Sequence, residues 1–239
     1  MKIVSWNCRG GFYNDKKYKK IRELDADIYV ICEIGPFKGK DEDYENFMKN
    51  VVYSEEFDPY EVDGRSKYLA VIAKEGITLD NNNWEYKHND FISVRVANSF
   101  DLVAVWTHGG TKEYVNRMEE YLKEHGPKFE NSDNLIMCGD FNIDISLPDQ
   151  KGRDEYIELL NGYGYESIYH YKTKEEFGKE SKKTFYREKD DKIEELHLDQ
   201  LFTKPELITS FELGDKEDYI GPTGTDKSDH IPLIFEVDI

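Results

Sequence analysis

The chain has 239 residues and carries 50 acidic against 32 basic side chains, a formal net charge of −18. Affinity for long duplexes comes largely from releasing phosphate counterions onto Lys and Arg, so this balance excludes a protein built to coat nucleic acid, though a bound metal and a few cations can still hold a short anionic segment. With 38% hydrophobic and 14% aromatic residues the chain can fill a core, which excludes general disorder, and its length without a linker-like stretch suits one domain over residues 1–239.

In chain order, Lys2–Trp6 reads as a strand that starts almost at Met1 and leaves no room for a leader; no apolar stretch reaches transmembrane length, so a cytoplasmic location without membrane contact is expected. Asp15–Leu24 is spaced for a helix with Tyr18, Ile21 and Leu24 on one face and Lys16, Lys17, Lys19 and Lys20 on a solvated one. Ile28–Cys32 follows as a strand and Asp43–Val52 as a short helix. Tyr68–Ala73, Phe91–Ala97 and Leu102–Thr107 are rich in β-branched and aromatic residues; Asn81-Asn82-Asn83 marks a turn, and Asn98-Ser99-Phe100-Asp101 closes a hairpin. Thr111–His125 carries Tyr114, Met118, Tyr121 and Leu122 at helical spacing, with Gly126-Pro127 to end it. Asn134–Gly139 is a strand, Asp154–Leu160 a helix and Leu196–Thr203 another strand, and Leu207–Leu213 and Ile231–Val237 close the chain. Glu188–Glu195 has no apolar period and reads as a solvated loop. Hairpins mixed with helical crossovers imply two sheets packed face to face with helices outside.

Six short segments put a carboxylate, amide or imidazole at the end of an apolar run: Trp6-Asn7, Cys32-Glu33, Trp106-Thr107-His108, Gly139-Asp140-Phe141-Asn142, His197-Leu198-Asp199 and Ser228-Asp229-His230. If the strands lie side by side, these polar ends gather on one rim, which then offers oxygen ligands for a hard cation and imidazoles for proton or phosphate work. In-line attack on phosphorus needs that set: an oriented water, a metal, and donors on the nonbridging oxygens. The three cysteines, Cys8, Cys32 and Cys138, have no C-x-x-C spacing, which argues against a disulfide framework or zinc site, and each reads as a small buried hydrophobe beside a motif.

Together and in this order, the six segments resemble those of the endonuclease/exonuclease/phosphatase superfamily, whose fold is like that of deoxyribonuclease I; the resemblance spans nearly the whole chain. It implies an α+β, four-layer α/β/β/α sandwich of two mixed β-sheets flanked by helices, and hydrolysis of phosphate esters with Mg²⁺ or Mn²⁺. By the same resemblance, Glu33, Asn7 and Asp229 serve the metal, Asp140 and Asn142 orient the attacking water and hold the phosphate, and His230 acts on the phosphate with Asp199 as its partner. His108 matches the Thr-His segment of the deoxyribonuclease, sphingomyelinase and deadenylase branches, and Arg9, His108 and Lys183 are the expected substrate contacts. The Trp-Thr-His segment and Arg9 set the chain apart from exonuclease III-type enzymes, and the Trp-Cys-Asp-Arg segment of inositol polyphosphate phosphatases is missing. The Glu that partners the first His in deoxyribonuclease I has no counterpart near Arg65 to Ala73.

Among the remaining residues, His88 and His170 read as surface side chains, and His125 as a helix-end residue serving the dipole. Strand alternation would put His197 on the side of Asp199 and Leu201, in reach of the site. Arg117 is placed to cap a carboxylate or reach a phosphate; Phe185-Tyr186, after Lys182-Lys183-Thr184, resembles the family's Thr-aromatic segment and is open to base stacking or core packing. The expected function is a metal-dependent phosphodiesterase of nuclease or nucleotide type, acting on a short or single-stranded nucleic acid with no obligate protein partner. A small-molecule or lipid-headgroup phosphatase, and a catalytically silent binding protein of the same fold, are the alternatives.

Overall fold

The computed structural model describes residues 1–11, 15–35, 42–54, 67–84, 86–109, 111–146, 154–189, 192–222 and 224–238. The first half contributes β1 (Lys2–Gly11), α1 (Asp15–Arg22), β2 (Ile28–Ile34), α2 (Glu42–Phe47), β3 (Val51–Tyr53), β4 (Tyr68–Ala73), β5 (Leu79–Asn81), β6 (Phe91–Val96), β7 (Phe100–Trp106) and α3 (Thr111–Asn131). The second contributes β8 (Leu135–Asp140), α4 (Glu155–Gly162), β9 (Glu166–Ser167), α5 (Ile168–Thr173), β10 (Phe185–Lys189), β11 (Lys192–Leu196), β12 (Asp199–Thr203), β13 (Ile208–Leu213), α6 (Lys216–Tyr219) and β14 (Leu233–Val237).

Two six-stranded mixed sheets form, ordered β13-β14-β1-β2-β4-β3 and β5-β6-β7-β8-β12-β9. Each has one parallel pair, β1 with β2 and β7 with β8, among antiparallel neighbours. The period of two sorts the side chains. Leu102 and Ala104 of β7, Ile136 and Cys138 of β8 and Leu201 of β12 join Ile3, Val30 and Val71 in the core between the sheets. Their alternates Val103, Val105, Leu135, Met137 and Phe202 face the other way, onto Met118, Leu122 and Phe129 of α3 and Tyr156 and Leu160 of α4. On the far side, Tyr18 and Ile21 of α1 are buried, with Tyr44 and Phe47 of α2 packed beside them. The four layers are those expected.

Several boundaries differ from the sequence reading. The helix expected to stop at Gly126-Pro127 runs on to Asn131. Proline inside a helix costs about 3 kcal/mol, but Phe129, two residues further, is fully buried beside Trp84, Tyr163 and Tyr165, a gain of about 1.5–3 kcal/mol. Gly126 eases the clash that proline imposes on its predecessor, and it also admits Tyr163, whose Oη would lie 2.6 Å from a Cβ there. Glu188–Glu195, expected as a loop, lies in the antiparallel ribbon of β10 and β11, in which Arg187 faces Glu194; residues 190–191 of that stretch fall outside the described residues. With both faces exposed, a ribbon has no need of an apolar period. The helix expected over Asp43–Val52 gives way to β3 at Val51, and the strand expected over Leu196–Thr203 is broken at His197-Leu198.

Candidate active site

Strand direction builds the site. Because β1 and β2 are parallel, Asn7 lies level with Cys32 and Glu33 comes next; because β7 and β8 are parallel, Trp106 lies level with Asp140. The antiparallel β12 begins at this end, with Asp199 paired to Asp140, and the antiparallel β14 brings Ser228-Asp229-His230 to the end of β1. Closeness of the backbones matters at one point: a Cβ on Gly139, whose φ is +147°, would lie 1.9 Å from the Val105 carbonyl oxygen.

Asn7, which is 2% exposed, ties the parts together. Its Nδ2 donates to Asp140 Oδ2 at 2.7 Å and, more loosely, to Glu33 Oε1 at 3.4 Å; its Oδ1 accepts the Arg9 N–H at 2.9 Å, and its backbone carbonyl accepts Ser228 Oγ at 2.8 Å. Asp140 also accepts the Asn142 backbone N–H at 2.9 Å and Asn142 Nδ2 at 3.0 Å. That same Nδ2 donates to the Thr107 carbonyl at 2.8 Å, so the Asn142 amide aims Asp140. Three of these residues, Arg9, Glu33 and Asn142, hold positive φ angles of 49°, 58° and 53°. Non-glycine residues rarely adopt this conformation, and its concentration at the rim marks a functional constraint.

Asp199 Oδ2 lies 2.8 Å from His230 Nδ1, and both are buried. On the other side of the ring, Nε2 is 3.9 Å from Asp140 Oδ2, beyond direct hydrogen-bond reach. Burial pulls the imidazole pKa down, but the Asp199 and Asp140 carboxylates outweigh it and raise His230, keeping the ring a cation. Burial likewise raises the Asp140 carboxyl, against the opposing pull of His230. The pairing fixes the ring so that Nε2 is the free donor.

His108 has the partner that the segment 65–73 did not supply. Asp90, fully buried just before β6, takes the His108 backbone N–H at 3.0 Å and lies 2.7 Å from Nδ1 of its ring. Arg117 Nη1 holds both Asp90 oxygens at 3.0 Å; of its two expected roles it takes the carboxylate cap. The Asp90 hydrogen bond raises the His108 pKa, with burial opposing.

Lys183, an expected substrate contact, is ion-paired with the buried Glu180 at 3.0 Å. Other expectations are corrected. Lys17, assigned to a solvated face, is 4% exposed, lies against Gly11 and donates to the Cys8 carbonyl at 2.5 Å. His170, taken for a surface residue, is buried between Ser167 at 2.8 Å and Glu180 at 3.1 Å. His125 is a buried mid-helix ring against Tyr121 and Trp84. His197 lies in the break before β12, its N–H on Asp144 Oδ2 at 2.9 Å and its Nδ1 2.9 Å from the Lys182 carbonyl oxygen, so it props the entry to Asp199 from inside. Arg9 forms an ion pair with Asp229 at 3.1 Å, and Lys67 with Glu33 at 2.5 Å.

The donors that could hold a hard divalent cation are oxygens: the carboxylates of Glu33 and Asp229 and the second lone pair of Asn7 Oδ1. Asp140, Asp199 and His230 bring ligand-type atoms within 4.8 Å of one another, and the buried Asp199 Oδ1 has no hydrogen-bond partner. This orphaned oxygen and the oxygen-rich donors fit a cation of this kind.

No protein-family model matches the sequence, and no curated protein does. The structure does have counterparts. A 3′-5′ exonuclease, NExo, from Neisseria meningitidis superposes over 100% of both chains with a TM-score of 0.71 at 15% identity. The endonuclease domain of TRAS1, a telomere-specific non-LTR retrotransposon, gives 0.66 at 15% identity over 100% of this chain and 98% of its own. An AP endonuclease from Archaeoglobus fulgidus gives 0.65 at 17% identity over 100% of both chains. The fold is the deoxyribonuclease I-like sandwich of these proteins. Among the described residues of the chain, no helix is long and apolar enough to cross a membrane.

Two residues of the rim, Lys67 and Asp90, escape the sequence reading for one reason. They precede β4 and β6, which run antiparallel to β2 and β7, so a polar group at the start of these strands reaches the rim that the other strands reach with their ends. The signal was there in Asp90-Phe91, a charge placed directly against an apolar run.

Proposed function

We propose that the protein is a divalent-metal-dependent phosphodiesterase that hydrolyses P–O bonds of nucleic acid or nucleotide substrates by attack of water. The observation that carries this reading is the Asp199–His230 pair facing an Asp140 carboxylate held by Asn7 and Asn142. Asp140, with its pKa raised by burial, is suited to orient the water and take its proton. The His230 imidazolium, kept charged by Asp199, stabilises the nonbridging oxygens as negative charge grows on them. His108, whose proton Asp90 helps to retain, is the group suited to protonate the departing oxygen. Arg9, 38% exposed in its side chain, adds positive charge at the mouth. Mg²⁺ or Mn²⁺ held by Glu33, Asp229 and Asn7 would neutralise charge on the phosphoryl group.

The structural likeness to an exonuclease and to endonucleases supports a phosphodiester substrate, as does the absence of a strongly basic composition for a short or single-stranded one. The test is a panel of single-stranded DNA, duplex DNA, RNA, bis-(p-nitrophenyl) phosphate and phosphate monoesters, each with Mg²⁺, with Mn²⁺ and with chelator. Metal-dependent cleavage of diesters is expected. Hydrolysis of monoesters alone would make the protein a phosphatase, and no turnover on any arm would overturn the reading.

A further inference from the structure

We infer that Thr184 is the positioning residue that locks the Asp199 and His230 segments together and thereby sets the turnover rate; the inference rests on the hydrolase reading above. Asp199 and His230 are 31 residues apart and belong to different sheets, one at the start of β12 and the other ahead of β14. Their 2.8 Å contact therefore needs something that fixes one chain segment against the other.

Thr184 is fully buried and bonded to both. On the Asp199 side, its Oγ1 accepts two backbone N–H groups, from Leu198 at 2.9 Å and from Asp199 at 3.0 Å, and its own N–H donates to the Leu196 carbonyl at 2.9 Å. On the His230 side, its carbonyl oxygen accepts the Ile231 N–H at 2.9 Å. The flanking residues reinforce the splint: Tyr186 N–H donates to the Asp229 carbonyl at 2.8 Å, and the Phe185 ring lies 4.9 Å from the His230 ring.

The need for a hydroxyl follows from the backbone. The chain leaves one ladder after Leu196 and enters the next at Asp199, so the intervening amides have no regular partner while already buried. Buried N–H groups must be satisfied, and a hydroxyl oxygen has two lone pairs to offer. A methyl group of similar size has none. Thr184→Val would leave the Leu198 and Asp199 amides unpaired and free the Asp199 carboxylate to swing from the ring. Thr184→Ser keeps the acceptor.

The experiment compares the parent with Thr184→Val, Thr184→Ala, Thr184→Ser and a control, Thr203→Val. Thr203 is also buried, at the opposite end of β12, and donates its hydroxyl to the Leu135 carbonyl at 2.6 Å. Each is assayed on bis-(p-nitrophenyl) phosphate with Mn²⁺, and amide hydrogen exchange at Leu198 and Asp199 is followed on the same samples. In Thr184→Val we expect kcat to fall by roughly 10- to 10²-fold, the scale of an ångström-level misplacement, with KM little changed and protection lost at both amides. Thr184→Ser should keep the parent kcat and protection, and Thr203→Val should lose stability without losing kcat. If Thr184→Val does not fold, the Ala and Ser variants decide: Ala must be slow and Ser must be normal. Undiminished kcat in folded Val or Ala variants of an active parent overturns the inference alone. An equal fall in Thr203→Val reduces Thr184 to a structural part and overturns it too. A parent with no turnover overturns the hydrolase reading and this inference with it, whatever the exchange shows.

Discussion

Asp90 and His108 are joined twice, through the backbone N–H at 3.0 Å and through the imidazole Nδ1 at 2.7 Å, by a single carboxylate oxygen. A ring held in this way keeps its proton to higher pH than a free one, since ionised Asp90 favours the cation. The sign of the stability effect follows. A histidine whose folded pKa is raised contributes stability that is complete below its unfolded value, about 6.5, and that is lost as pH rises through the folded value. Asp90→Asn should lower the His108 pKa, seen in the NMR titration of its ring, and should narrow the gap in denaturant midpoint between pH 5.5 and pH 9. The same ring titration in both proteins would show that Asp90 has no hold on the proton.

Asp140 and His230 separate chemistry from stability in different ways. Asp140→Asn keeps the shape of a buried group and should lower kcat by roughly 10² or more, with little change in melting temperature. His230→Ala should lose at least as much turnover and also about 3–5 kcal/mol of stability, because it leaves Asp199 buried without its cation. Kinetics and chemical denaturation on both variants check this; normal turnover in Asp140→Asn would move the chemistry elsewhere.

Glu33 tests the cation. In calorimetric titrations with Mg²⁺ and Mn²⁺, the parent should bind and Glu33→Gln should bind more weakly, since an amide oxygen replaces an anionic ligand. Lys67→Met should tighten binding by removing the cation now paired with Glu33. Equal affinity in parent and Glu33→Gln would remove Glu33 from the ligand set.

The net charge of −18 governs substrate size. Of the basic residues that could offset it, Lys179 is paired with Glu176, Lys183 with Glu180 and Arg9 with Asp229. A long duplex should be repelled, and a dinucleotide or short single strand preferred. At saturating Mg²⁺, added salt should raise kcat/KM on plasmid duplex by screening the repulsion and leave a dinucleotide nearly unchanged. A steep fall in duplex cleavage with salt would reveal a basic track.

The layers and most of the rim were legible because strands announce themselves by alternation and the polar ends by position. Asn7, Glu33 and Asp140 all sit at the end of a strand-like, largely apolar run. What stayed hidden depends on direction or on tertiary contact. Asp90 and Lys67 needed the knowledge that β6 and β4 run the opposite way. Lys183 pairs with Glu180 only three residues away, and Lys17 reaches the Cys8 carbonyl on β1; neither contact is announced by residue type. The positive φ angles at Arg9 and Glu33 leave no mark at all in residue type.

The three thiols carry a consequence for how opening of this molecule can be timed. Cys8, Cys32 and Cys138 are fully buried, one on each of β1, β2 and β8, and burial lifts the Cys8 and Cys138 thiols to about 12. No thiolate is therefore presented to an alkylating reagent while the strands stay paired. Labelling has to wait for a strand to part from its neighbours, so the three modification rates are three clocks. A shared rate for Cys8 and Cys138 would mean that the two sheets come apart in one event; an earlier modification at Cys138 would mean that the second sheet breathes on its own.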